Sequence, residues 1–203
     1  MQSSRVPDVA SIKELKSELR RSAFAKRDAL PAPMRAAAAE TIAGRTFPVP
    51  VPAGAVVSGY SPMNSELNPV PLMRKLADAG AQLALPVVQG RGKPLVMRAW
   101  SFGEGLTSGI WGIREPTAQA AEVFPDIMLV PLAAFDSRGH RIGYGAGYYD
   151  RAIERLTEKG HAPRLIGIAF GCQEVPKVPD EPHDVVIPEI LTEGGLRRFG
   201  PPL

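Results

Sequence analysis

Cys172 is the only cysteine in 203 residues, so no internal disulfide can staple this fold and no cysteine cluster can hold a metal, which fits a reducing compartment. Long hydrophobic runs are missing too. The longest strongly apolar stretch, IMLVPLAAF at 127–135, falls well short of the roughly 20 residues a membrane-spanning helix needs. The opening MQSSRVPDVA has no apolar core of the kind a secretory signal carries. These absences point to a cytoplasmic protein with no membrane partner. There is also no zinc-finger spacing, aromatic RNA-binding signature, internal repeat, heptad run or low-complexity block. The net charge is only +3. The basic cluster near the start (Lys13, Lys16, Arg20, Arg21, Lys26, Arg27) is diluted by Glu14, Glu18 and Asp28, which argues against a nucleic-acid arm.

What is present is the profile of a globular domain, 44% hydrophobic and 22% charged. Twenty glycines and 21 prolines call for many short elements joined by loops whose backbones are restricted rather than loose. One domain is expected over residues 1–203, as a monomer, with residues 1–10 and 194–203 loosely held.

SIKELKSELRRSAFAKRDALP reads as a helix. Ser11 and Glu14 stand at capping-box spacing, Ile12, Leu15 and Leu19 form one buried stripe, and Lys16, Arg20 and Arg27 run beside it as a line of cations. PMRAAAAETIAG is a second helix, and NPVPLMRKLADAG a third with Asn68 as its cap and Gly80 as its stop. AVVSGY, QLALPVV, PLVMRAW, DIMLVPLAAF and RLIGIAF read as strands, with a further helix from Asp150 to Lys159. The alternation predicts an α/β fold, a mainly parallel sheet flanked by helices in a three-layer, Rossmann-like arrangement.

In such a sheet ligands gather where strand ends lead into helices. RIGYGAGYYDR occupies such a place. Gly143, Gly145 and Gly147 let successive amides turn toward one concavity, a cradle for phosphate oxygens at a helix start. The loop is neither a Walker A sequence nor a dinucleotide fingerprint: Tyr148 and Tyr149 stand where a lysine and a hydroxyl residue would be required, and Asp150 replaces a third glycine. Plain turns carry such glycines as well. Asp150 is a candidate magnesium ligand or a helix cap. Asp184 is a candidate second carboxylate. Glu66 follows a strand and can accept two parallel hydrogen bonds from the amidine-like edge of a pterin, or simply face solvent. Trp111 offers a flat apolar surface or is packed, and His183 reads as structural rather than as a general base.

PLAAFDSRGHRIGYGAGYYDR resembles the signature of the 5-formyltetrahydrofolate cyclo-ligase family. KSELR, SPMNSELN, GIREP and GIAFGCQEVPKVPDEPHD resemble further segments of that family in the same order along nearly the whole chain. The resemblance implies an ATP- and Mg²⁺-dependent ligase that closes the ring of 5-formyltetrahydrofolate to give 5,10-methenyltetrahydrofolate, ADP and phosphate. It implies that Lys16, Arg20 and the loop Arg141, Gly143, Tyr144, Gly145, Ala146, Gly147, Tyr148 and Tyr149 hold ATP. Ser61, Glu66 and Trp111, with Gly145, Gly147 and Tyr148, would then bind the folate. Asp150 and Asp184 would bind Mg²⁺, and Arg141, Tyr149 and Asp150 would serve the reaction. One departure stands out: some members carry an arginine and a lysine where this chain has Tyr144 and Ala146. Charge compensation then falls on Lys16, Arg20, Arg141 and the metal. A sugar-phosphate isomerase-like enzyme and a non-catalytic folate- or nucleotide-binding module are the alternatives.

Overall fold

The computed structural model describes residues 11–182 and 184–200. In chain order the elements are α1 (Ile12–Asp28), α2 (Ala32–Gly44), β1 (Val56–Ser58), α3 (Val70–Asp78), β2 (Gln82–Val88), β3 (Leu95–Ala99), β4 (Leu106–Ser108) and β5 (Arg114–Pro116). There follow β6 (Ile127–Pro131), β7 (Ala134–Phe135), β8 (Arg141–Ile142), α4 (Tyr148–Glu158), β9 (Arg164–Ile168), β10 (Glu189–Thr192) and β11 (Gly195–Arg198).

Seven strands form one sheet in the order β11-β10-β9-β6-β1-β2-β3. The five inner strands run parallel, and β3 and β11 cap the two edges in antiparallel pairing. Successive residues along a strand point to opposite faces, and the core divides accordingly. Val57, Leu83, Leu85, Leu129 and Ile166 pack with Ile42 of α2 and Leu72 and Met73 of α3. Ala84, Met128, Val130 and Leu165 pack with Ala152, Ile153 and Leu156 of α4 on the other face. All five residues of β6 are buried, as befits a central parallel strand covered on both sides. The mainly parallel sheet between two layers of helices is the expected fold.

From β1 the chain passes through α3 to β2 on one side, then returns as β6 on the other side of β1 before α4 leads to β9. The strand order therefore reverses between β1 and β6. The loops leaving the carboxyl ends of these two strands diverge, and a crevice opens between them. One loop carries Ser61 and Glu66, the other the glycine-rich segment.

Several expectations need correction. The apolar stripe of α1 is buried only in part: Ile12 is 44% exposed and Leu15 41%, whereas Leu19 is half-buried with Ala23 against Ala133, Ala134 and Ile142. Lys16, Arg20 and Arg27 turn inward beside that small cluster, where they meet Asp184, the glycine loop and Ser65. The chain after Glu193 is not loose, since Gly195–Arg198 pairs with β10. DIMLVPLAAF is two strands, β6 and β7, and β4–β5 forms a hairpin. Pro69 takes the cap position of α3, although Asn68 Oδ1 still accepts from the Val70 N–H at 3.1 Å. Residues 1–10 and 201–203 lie outside the described residues.

Candidate active site

β7 and β8 form a short antiparallel pair that aims the chain back over the sheet edge. Residues 143–147 then turn into α4 with Gly145 at φ +94° and Gly147 at φ +63°. A side chain would strain both positions. Gly147 is the cap of α4 and no side chain bonds the helix start, so the amides of the first turn remain available to a ligand. Asp150 is thus not the cap. It sits in the first turn and accepts from Arg141 Nη2 at 2.9 Å.

The loop separates two cavities. The first, about 350 Å³, is lined by Tyr60, Ser61, Met63, Glu66, Pro86, Val88, Leu95, Trp111, Ile113, Pro131, Tyr144, Ala146, Tyr148 and Tyr149. All four tyrosines of the chain meet there. The second, about 920 Å³, is polar and includes Lys13, Lys16, Arg20, Gly145, Arg151, Glu181 and Asp184. Arg141, Gly143, Gly147 and Asp150 line both.

Glu66 is the acidic group deep in the first cavity, only 9% exposed. Burial pushes its carboxyl up, and bonds from the Tyr144 hydroxyl and the Met63 amide (2.6 Å), with Arg27 nearby, partly offset this. Arg27 Nη1 donates to the Tyr144 hydroxyl at 2.5 Å, and its Nε donates to Ser65 Oγ at 2.9 Å. A buried guanidinium thus holds the phenol whose proton points at the carboxylate. Burial, then the negative field of Glu66, drives the hydroxyls of Tyr144 and Tyr149 far above the ordinary phenol value, so both remain neutral donors. Apolar walls around one carboxylate and several phenols suit a flat heterocycle with a hydrogen-bonding edge.

Trp111 is 64% exposed at the tip of the β4–β5 hairpin, in a left-handed conformation (φ +60°). Its ring meets that of Tyr148 edge-on at 5.7 Å. The Ser61 hydroxyl donates to the Arg114 carbonyl and fastens the hairpin to the loop after β1.

In the second cavity Lys16 Nζ reaches Asp184 Oδ2 at 2.6 Å and Glu181 Oε2 at 2.8 Å. Burial disfavours the ammonium, but the two carboxylates outweigh it and raise the Lys16 pKa. Arg20 Nε donates to the Gly143 carbonyl at 2.8 Å. The segment carrying Asp184 is held in place by Asp136, fully buried, which accepts from the Val178 amide at 2.9 Å and from both the backbone amide (2.9 Å) and the guanidinium (2.7 Å) of Arg138. Burial raises the Asp136 pKa, but these bonds outweigh it and leave a net depression. Arg138 in turn reaches Asp180 at 2.8 Å.

The structure therefore gathers the candidate residues and divides them. Lys16, Arg20, Gly145 and Asp184 line the second cavity, whereas Ser61, Glu66, Trp111, Tyr144, Ala146, Tyr148 and Tyr149 line the first. Four loop residues expected at ATP thus face the other cavity, and Gly145, expected at the folate, does not line that cavity. Tyr60, Arg27, Glu181 and Arg151 were not foreseen as site residues. Only Arg27 had a signal, its place in the cationic line. His183 lies outside the described residues. Among the described residues no group of three or more His, Cys, Asp or Glu side chains is arranged to hold a metal ion by itself. Asp150 and Asp184, two carboxylates lining one charged cavity beside the glycine loop, fit Mg²⁺, which shares its coordination among protein, water and phosphate oxygens.

Comparison with known proteins identifies the family. The model of the 5-formyltetrahydrofolate cyclo-ligase family matches residues 12–193. The 5-formyltetrahydrofolate cyclo-ligase of Mycolicibacterium smegmatis is 32% identical over 184 residues, covering 87% of this chain and 93% of the relative. That of Escherichia coli K12 is 33% identical over 153 residues, 72% of this chain and 82% of the relative. The solved structure of Aquifex aeolicus 5,10-methenyltetrahydrofolate synthetase superposes with a TM-score of 0.77 at 29% identity, covering 93% of this chain and 96% of that one. The match extends across both cavities and the loop between them, and the chain belongs to the 5-formyltetrahydrofolate cyclo-ligase family of ligases.

Proposed function

We propose that the enzyme couples ATP hydrolysis to closure of the folate ring, with 5-formyltetrahydrofolate in the apolar cavity and the nucleotide in the charged one. The observation that carries this reading is the shared wall: Arg141, Gly143, Gly147 and Asp150 line both cavities, so a terminal phosphate and a formyl group can meet across one loop.

The chemistry explains why two substrates are needed. A formamide carbonyl is a poor electrophile, and its oxygen is a poor leaving group. The formyl oxygen attacks the γ-phosphorus and ADP departs. N10 then attacks the activated formyl carbon, the C–O bond breaks, phosphate carries the oxygen away, and N10 loses its proton. Ring closure needs no strong general base.

In this scheme the protein positions groups and offsets charge. Glu66 accepts from the pterin edge, with Tyr144 and Arg27 fixing its orientation. Ser61 and Trp111 bound the same cavity. Tyr148 and Tyr149 offer their hydroxyls to the formyl or phosphate oxygen. Lys16, Arg20 and Arg141 counter the phosphate charge, and the amides of the glycine loop cradle it. Asp150 and Asp184 would hold Mg²⁺, which neutralises phosphate charge when bound. The enzyme supplied with 5-formyltetrahydrofolate should form the methenyl chromophore only with ATP, releasing one ADP per ring closed. Equal rates with and without nucleotide would overturn the reading.

A further inference from the structure

We propose that Arg151 is a phosphate-binding residue that supplies, from α4, positive charge the glycine loop itself lacks. Between Ile142 and Asp150 the chain reads Gly-Tyr-Gly-Ala-Gly-Tyr-Tyr, without a single cation. The loop amides alone must then face a triphosphate unless neighbouring elements supply charge.

Two guanidinium groups bond its carbonyls. Arg20 of α1 holds the Gly143 carbonyl, and a Cβ built on Gly145 would stand 3.1 Å from its central carbon. Arg151 approaches from the other side: Nη2 donates to the Ala146 carbonyl at 2.6 Å, and Nη1 would be 2.9 Å from a Cβ on Gly147. Helical side chains lean toward the N-terminus of their helix. The fourth residue of α4 therefore covers the helix start, where an anion would bind. Its guanidinium also rests 5.2 Å from the Tyr148 ring centroid, which fixes its plane. With both carbonyls occupied by arginines, the intervening amides are left for the ligand.

A second observation marks this place as a ligand site. Arg141, 9% exposed, and Arg151 both line the charged cavity, and each has a buried Nε with no hydrogen-bond partner among the described residues. Buried donors without partners are costly, and an oxyanion would satisfy them.

The inference rests on the charged cavity as the triphosphate site, and the test separates the two. Inorganic tripolyphosphate with Mg²⁺ is titrated calorimetrically into the wild type, Arg151→Gln and Arg151→Lys, and KM is measured for ATP and for the folate. Arg151→Gln should weaken tripolyphosphate binding about tenfold or more, as loss of a charge-assisted contact does. The KM for ATP should rise in parallel while that for the folate stays unchanged. Arg151→Lys should recover part of the loss, because the ammonium restores charge without the two-pronged geometry. Undiminished binding by Arg151→Gln would overturn the inference, as would an equal rise in both KM values, which would mark a purely structural tether. A wild type that binds no tripolyphosphate would instead overturn the placement of the nucleotide.

Discussion

Glu66 shows how a single buried carboxylate sets stability against binding. Its pKa is raised because burial penalises the charged form more than Tyr144, Met63 and Arg27 relieve it. Between the ordinary carboxyl value and the raised one, the folded protein keeps a proton that the unfolded chain releases. Stability therefore falls as pH rises through that interval, and the full cost is present above it. Glu66→Gln removes this titration. The difference in thermal midpoint between variant and wild type should move in the variant's favour as pH rises from about 4 to 8. Folate KM should meanwhile increase about 10- to 100-fold, because an amide cannot accept two hydrogen bonds through a shared negative charge. A difference that does not change with pH would show that the buried charge costs nothing. Glu66 was legible in the sequence because a carboxylate just past a strand stands at the ligand edge of a parallel sheet. Its supports were not: Arg27 and Tyr144 are 117 positions apart, and no local pattern announces their contact.

At the scale of elements, α1 was legible as a helix and misread as to its face. The capping box of Ser11 and Glu14 formed as expected. The spacing of Ile12, Leu15 and Leu19 placed only Leu19 correctly, however, because Lys16, Arg20, Ala23 and Arg27 are equally periodic and turn inward beside it. Hydrophobic periodicity identifies the buried face only where the neighbour is hydrophobic; α1 meets a small apolar cluster at Leu19, Ala23 and Phe24, but the glycine loop, Glu181 and Asp184 along its cationic line. Chemical denaturation can distinguish the two faces. Leu15→Gln should change stability by less than about 0.5 kcal/mol, as at an exposed position, whereas a core leucine would cost several times more. Ala23→Leu, at a site only 2% exposed, should cost about 1–3 kcal/mol through overpacking. The β4–β5 hairpin and β11 were missed for a related reason. Strands of three or four residues, with no residue of β4 or β11 buried and only Glu115 and Pro116 buried in β5, have too little alternation to be read without their partners.

For the molecule as a whole, the position of the site follows from the strand order, and its ligand preference follows from charge balance. The alternation of strands and helices made the layered sheet readable; the reversal between β1 and β6 that opens the crevice was not, because strand order is a property of pairing. The second cavity is lined by five cationic and five acidic side chains, and those foreseen as metal ligands already have cations beside them, Asp150 with Arg141 and Asp184 with Lys16. Bare Mg²⁺ must compete with these ammonium and guanidinium groups, and bare ATP brings its negative charge against five carboxylates. Together they allow an exchange of partners in which cations turn to phosphate oxygens and carboxylates to the metal. Neither should therefore bind well alone. In thermal unfolding, Mg²⁺ without nucleotide and ATP with a chelator should each shift the midpoint little. Both together, at about 100 times the dissociation constant, should stabilise by about 2.7 kcal/mol, or about 5 to 10 °C for a chain of this size. If ATP in the presence of chelator raises the midpoint as far as ATP with Mg²⁺, the two carboxylates do not serve the metal and Lys16 is released from Asp184 by phosphate alone.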